Sequence, residues 1–197
     1  MLLMIFPLLL LGLGLLLGGR TAHLVALPLR WKGFVAGAFA VQWIVLHLPE
    51  TLPQPLIGGL LSASYGLLLA FFAVNYRVPG LRLALAGTLL NCLVIVANGG
   101  FMPVTPETVH AAGLAERAPL VGERLPGSKD LVLAADRTHL GWLGDRFTLS
   151  WPRPQVFSIG DVILVGGLGW LVLGGMQTPW PAAGRQARRR AQDGQGA

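Results

Sequence analysis

The sequence predicts an all-α membrane protein: a bundle of about five transmembrane helices with an extracytoplasmic loop, a lid, between the fourth and the fifth. Three observations carry the prediction. Hydrophobic residues fill 53% of the 197 positions and charged residues only 12%, a composition of the membrane class and not of soluble domains. The apolar residues are collected into five runs, each close to the roughly twenty that cross a hydrocarbon core. The basic residues flanking those runs fall on one side of the resulting bundle, as cytoplasmic connectors do.

The first run, Leu2 to Gly19, has a secretory signal as its rival reading. No charged residue precedes it, and Arg20-Thr-Ala-His23 is a poor cleavage site, so an uncleaved first helix is expected. Arg20, Arg30 and Lys32 form a basic connector before the second run, Gly33 to Leu48, with Trp31 at its entrance where an amphipathic ring prefers the headgroup level. A proline-rich turn, His47 to Pro55, carries no Lys or Arg. Leu56 to Tyr76 is the third run. Arg77-Val-Pro-Gly80 breaks it, and Leu81 to Ala97 is the fourth, with Arg82 placed to snorkel its charge to the interface. These four make a transmembrane region over residues 1–97.

At Asn98-Gly-Gly-Phe-Met-Pro-Val104 the chain is forced out of the bilayer, because the glycines permit a sharp exit and Pro103 forbids further helix. Residues 98–158 then form the loop. Thr105-Pro-Glu-Thr reads as a helix start with a hydroxyl cap, ended by Gly113; the remainder reads as a lid with short helices and no independent core. Trp142, Phe147, Trp151 and Phe157 suit the headgroup zone. The fifth helix covers 159–180, starting from Ser158-Ile-Gly-Asp161. Residues 181–197, with Arg185, Arg188, Arg189 and Arg190, read as a disordered basic cytoplasmic tail drawn to anionic lipid.

The short-connector charges place the amino terminus outside and the carboxyl terminus inside. The formal charge of +6 is therefore an orientation signal, and no nucleic-acid partner is expected. The single cysteine, Cys92, excludes an intrachain disulfide. Helix association in lipid needs small residues and interhelical hydrogen bonds. The stripe Gly58, Ser62, Gly66 and Ala70 is expected to form a seam, as are Gly14 with Gly18, Gly33 with Gly37, and the glycines of the fifth run. Thr88, Asn91 and Asn98 line one face of the fourth run, with Gln42, Ser64 and Asn75 as partners on neighbouring helices.

No catalytic residue, cofactor or metal ligand is assigned. Glu107 and His110 have the i, i+3 spacing of two metal ligands, but the second pair that a carboxylate-bridged site needs is absent. His139, Asp136 and Asp145 offer an acid/base group with Lys129, yet no spacing fixes a nucleophile beside its base. Ser158 and Asp161 read as a capping box for the fifth helix, favoured by its dipole. The candidate structural or pocket residues are Asn91, Asn98, Asp145, Ser158 and Asp161.

Gly18-Gly-Arg20, the Asn98 to Val104 block, Leu143-Gly-Asp145 and Phe157-Ser-Ile-Gly-Asp161 together resemble an uncharacterised bacterial family of small multi-pass membrane proteins, of the domain-of-unknown-function type. The likeness runs from the first span through the fifth. It implies a bacterial inner-membrane location and the same helical architecture, and no activity.

Two roles follow as expectations. One is a non-enzymatic accessory or scaffold subunit whose partners are membrane lipids and another integral membrane protein or a second copy of itself. The alternative is a membrane enzyme or carrier for a lipid-linked or small polar substrate beneath the outer loop, with Asn91, Asn98, Asp145 and Asp161 lining the pocket. A packed bundle favours the first and a polar cavity the second.

Overall fold

A computed structural model describes residues 2–48, 52–114, 120–151 and 154–177. The basic tail, and the loop charges Glu116, Arg117 and Arg153, lie outside the described residues. Within them the protein is mainly helical: α1 Leu2–Leu16, α2 Thr21–Val25, α3 Lys32–His47, α4 Gln54–Val74, α5 Leu81–Ala97, α6 Pro106–Ala111 and α7 Ile159–Gln177. Two of these, α4 with 21 residues and α7 with 19, are long and apolar enough to cross a membrane. α3 and α5 are apolar but shorter, and α1 has 15 residues.

Each boundary has a local cause. Pro53 and Pro55 open α4, where a missing N–H costs nothing. Gly80, at φ +85°, turns the chain into α5. Gly99 and Gly100 have φ of +71° and +94°, and Gly100 N donates back to Ile95 O at 2.8 Å, a Schellman-type stop that closes the carbonyls of the last turn. Thr105 Oγ1 caps α6 by accepting from Thr108 N at 3.3 Å.

Five helices stack side by side in the order α3, α4, α5, α7, α1; the first four alternate in direction, and α1 runs parallel to α7, with Leu10 against Gly169 and Gly14 against Met176. The α5–α7 contact is the closest. Gly80 and Gly87 on one side meet Gly160 and Gly167 on the other, with backbone against backbone: a methyl built on Gly87 would lie 2.5 Å from both Gly160 O and Leu164 N. The expected α4 stripe is only partly a seam. Gly58 packs on Gly99 and Gly100, whereas Gly66 has nothing within 4 Å of where a Cβ would stand and is exposed. The face of α4 turned inward is Ile57, Leu61, Ser64, Tyr65, Leu68, Phe71 and Phe72. Gln42 Nε2 donates to Ser64 Oγ at 3.1 Å, joining α3 to α4.

The end of the bundle where α3 finishes and α4 begins is covered by a cap, residues 98–158. It contains strand as well as helix, a departure from a wholly α-helical chain. β1 (Met102–Val104) pairs in parallel with β2 (Asp130–Val132), and β3 (Phe147–Leu149) pairs antiparallel with β4 (Gln155–Phe157). Val104, Val109, Leu125 and Val132 form a small apolar cluster within the cap. Phe101 and Leu131 anchor it on Val45, Ile57 and Leu61, while Met102 and Leu143 reach Tyr65, Val94 and Ile95. At the opposite end, α2 is tied to α7 by Arg20 N donating to Met176 O at 2.8 Å.

Candidate functional site: a polar junction beneath the cap

Asn91 lies six residues before the end of α5, so roughly 9 Å below its tip. α7 begins at that depth. Ser158, its N-cap residue, accepts from Asp161 N at 3.1 Å through Oγ, and Asp161 Oδ2 accepts from Ser158 N at 3.1 Å, the reciprocal arrangement of a capping box. Asn91 closes the ring from α5: its Nδ2 donates to Asp161 Oδ1 at 2.7 Å, and its Oδ1 accepts from Ser158 Oγ at 2.8 Å. The amide orientation follows from the chemistry, since a carboxylate can only accept. All three residues are buried. Ser158 is not an activated nucleophile, because its proton points to an amide oxygen and not to a base.

Asn98 performs a second task. Its Nδ2 donates to Val94 O and to His139 O, both at 2.8 Å, and its Oδ1 accepts from His139 N at 3.0 Å. One side chain thereby mimics a peptide group and grips the cap backbone. Asn75, ending α4 at the opposite end, does the same to Arg30: Oδ1 accepts from Arg30 N at 2.8 Å, while Nδ2 donates to Arg30 O at 2.9 Å and Phe71 O at 2.8 Å. In both clamps the next residue is non-glycine and left-handed, Trp31 at φ +56° and Leu140 at φ +53°. That conformation costs of order 1 kcal/mol and needs neighbours to hold it. Asn98→Ala removes three hydrogen bonds, two of them to the cap, so the cap is expected to loosen by about 1 to 3 kcal/mol, read as faster proteolysis between residues 98 and 158 at unchanged helix content.

The third group is ionic. Asp130 stands beside Met102 on one flank of β1, and Asp145 beside Val104 on the other, with Asp145 N donating to Pro103 O at 3.1 Å. Residues 102 and 104 point to the same face of the strand, and both carboxyls lie near one ammonium. Lys129 Nζ lies 3.6 Å from Asp145 Oδ2 and 3.9 Å from Asp130 Oδ1. Its stem keeps some exposure, but the ammonium itself is buried. Ser128 Oγ donates to Asp130 Oδ2 at 2.6 Å. Burial alone would lower the Lys129 value; the carboxylates led by Asp145 outweigh it and hold the ammonium protonated well above its usual range. Burial pushes the Asp145 carboxyl well up, Lys129 opposes this, and Asp130 adds to the rise.

The structure thus joins Asn91, Ser158 and Asp161 in one ring, sets Asn98 apart as a clamp, and places Asp145 with Lys129. Asp136 is exposed and His139 takes part through its backbone. Glu107 and His110 are exposed on α6, and no group of three or more possible metal ligands occurs among the described residues. Asp130 is the member that sequence reasoning missed. Its only local sign was a charge next to the apolar run Leu131 to Leu133.

A family model described as a family of unknown function, DUF5317, matches residues 26–173. The chain belongs to this family. The DUF5317 match takes in α3, α4, α5, the cap and most of α7. An uncharacterised protein of Thermotoga maritima is 28% identical over 148 residues, covering 72% of this chain and 74% of that protein. No solved structure matches.

Proposed function

We propose that the chain is a five-span protein of the bacterial inner membrane, amino terminus and cap outside, serving as a non-enzymatic accessory or scaffold subunit. The observation that carries this reading is the closure of the polar junction upon itself: Asn91, Ser158 and Asp161 satisfy one another, and Asn98 and Asn75 bind backbone. Non-helical backbone at membrane depth is tolerated only where protein covers it, and the ring and clamps provide that cover. The perimeter supports the span assignment. Phe39, Trp43 and Ile44 of α3, Leu89, Leu93 and Val96 of α5, and Val162 and Trp170 of α7 are exposed, as lipid-facing positions are. Arg20, Arg30, Lys32, Arg77 and Arg82 lie at the end away from the cap.

Lipids, and a second integral membrane protein or another copy of this chain, are the partners that such a perimeter suits. Purification in mild detergent should return a membrane protein in stoichiometric amount; a small polar or lipid-linked molecule retained without a protein partner would favour the carrier reading instead. For orientation, cysteines placed at Ser128 and Gln192 in a Cys92-free background should label from opposite sides. Ser128→Cys should react with an impermeant reagent on spheroplasts and Gln192→Cys only after lysis. Labelling of both from outside would overturn the five-span arrangement.

A further inference from the structure

Every described Asp and Glu lies in the cap or in the first turn of α7, so among the described residues the fixed charges at the opposite end of the bundle are all basic. Two of them, Arg77 and Arg82, are held on one exposed ring. Arg77 Nε donates to Tyr76 Oη at 3.2 Å, and Arg82 Nε donates to Tyr76 O at 3.2 Å. Their Cζ atoms stand 5.6 and 5.7 Å from the centre of the Tyr76 ring, inside the roughly 6 Å of a cation–π contact. Both hydrogen bonds use Nε, and among the described residues the Nη donors of the two arginines have no partner.

Two like charges on one ring repel, and the helix starts beside them add to the excess. α3 begins at Lys32 and α5 at Leu81, each with a basic residue in its first turn, no acid there and no side-chain cap. A helix start favours an anion, so Lys32 and Arg82 stand at the wrong pole. The carbonyl end of α4, to which Arg82 Nε is bonded, offsets part of this. Asn75 meanwhile holds the Arg30–Lys32 segment alongside Tyr76 through its bonds to Arg30 N and O, so two segments of the chain bring their cations to one place.

We propose that Tyr76, Arg77 and Arg82 form a headgroup site for an anionic phospholipid, its phosphate taking the Nη donors of both arginines. Guanidinium forks match phosphate oxygens bidentately, which an ammonium does not. The source is a membrane lipid and not free phosphate, because Leu83 next to Arg82, and Trp31 stacked near Phe34 in the clamped segment, are exposed apolar surface for acyl chains. The site rests on the five-span reading above, which sets this end at the cytoplasmic face, where anionic lipid is found. Orientation alone needs only the number of basic residues; it does not account for two guanidinium groups ordered on a tyrosine.

The test is native mass spectrometry of the full chain in detergent, titrated with phosphatidylglycerol or with phosphatidylcholine. Wild-type protein should hold the first phosphatidylglycerol about tenfold more tightly than phosphatidylcholine. Arg77→Lys with Arg82→Lys, and separately Tyr76→Leu, keep the basic charge and should lose most of that preference, while Arg137→Gln in the cap should keep it. Equal affinity of the wild type for the two lipids would overturn the proposal whatever the variants do. Charge-keeping variants that bind as the wild type does would overturn it too, since charge alone would then suffice. Excess inorganic phosphate should leave the lipid bound; displacement by it would overturn the choice of a lipid. Cysteine labelling at Ser128 and Gln192 reads the spans separately. Lost selectivity with that labelling as expected overturns the site and spares the spans, whereas reversed labelling overturns the spans and the leaflet together.

Discussion

Gly87→Leu should cost about 3 kcal/mol or more, because the added side chain has backbone, and no yielding side chain, in its way. Gly160 O and Leu164 N stand where its Cβ would go. Separating α5 from α7 there also draws Asn91, one turn above, out of reach of Ser158 and Asp161. The measurement is the melting temperature and the yield of folded protein in detergent, with Gly66→Leu as the control. Gly66 faces outward with open space around it, so that variant should melt as the wild type does. Equal melting of the two variants would remove the glycine seam as the main helix contact.

The second large effect is expected for Asn91→Leu. It leaves the Asp161 carboxylate without the charge-assisted bond at 2.7 Å and Ser158 Oγ without its acceptor, a loss of about 3 kcal/mol. Asp161→Asn should be far milder, at about 1 kcal/mol, because the ring can be rewired. An amide at position 161 can still accept from Ser158 N and donate to Asn91 once the Asn91 amide turns over. Asn91 then donates to the Ser158 hydroxyl. Thermal melting of the two variants side by side checks the order. An Asp161→Asn protein as stable as wild type but unable to complement a deletion would point to a pocket role for the carboxylate.

What the sequence discloses here is local. Ser158 and Asp161 are three residues apart, so their capping relation is readable from spacing, as is the stop at Asn98-Gly-Gly. Asn91 joins that ring from 67 and 70 residues away, and Asn98 reaches His139 across 41; neither pairing leaves a trace in a window of one turn or two. The three-residue strands are too short to show period-two alternation. Asp130 and Asp145 come to share Lys129 only through the pairing of their segments with β1.

The glycine stripes show the same limit in another form. On a helix of 3.6 residues per turn, a step of four advances by about 40°, so Gly58, Ser62, Gly66 and Ala70 wind around α4 and Gly66 ends on the outside. A step of seven drifts by only about 20°. Gly80 with Gly87, and Gly160 with Gly167, therefore stay on one face each and meet.

The Asn98 clamp has a consequence in time. Asn98 is followed by Gly99, whose N–H has little to hinder its attack on the asparagine side-chain carbonyl carbon. That attack closes a cyclic imide and expels ammonia, and water then opens the ring to aspartate or its β-linked isomer. While the cap is seated, Oδ1 and Nδ2 of Asn98 are both held and Gly99 is fixed at φ +71°, so the attacking geometry is denied. Each opening of the cap exposes the dipeptide to this chemistry. Once it has occurred, a carboxylate faces Val94 O and His139 O, where an amide had donated to both, and the cap is held less firmly. A molecule that opens often thus ages faster than one that stays closed, and its age is written as a single irreversible charge at position 98.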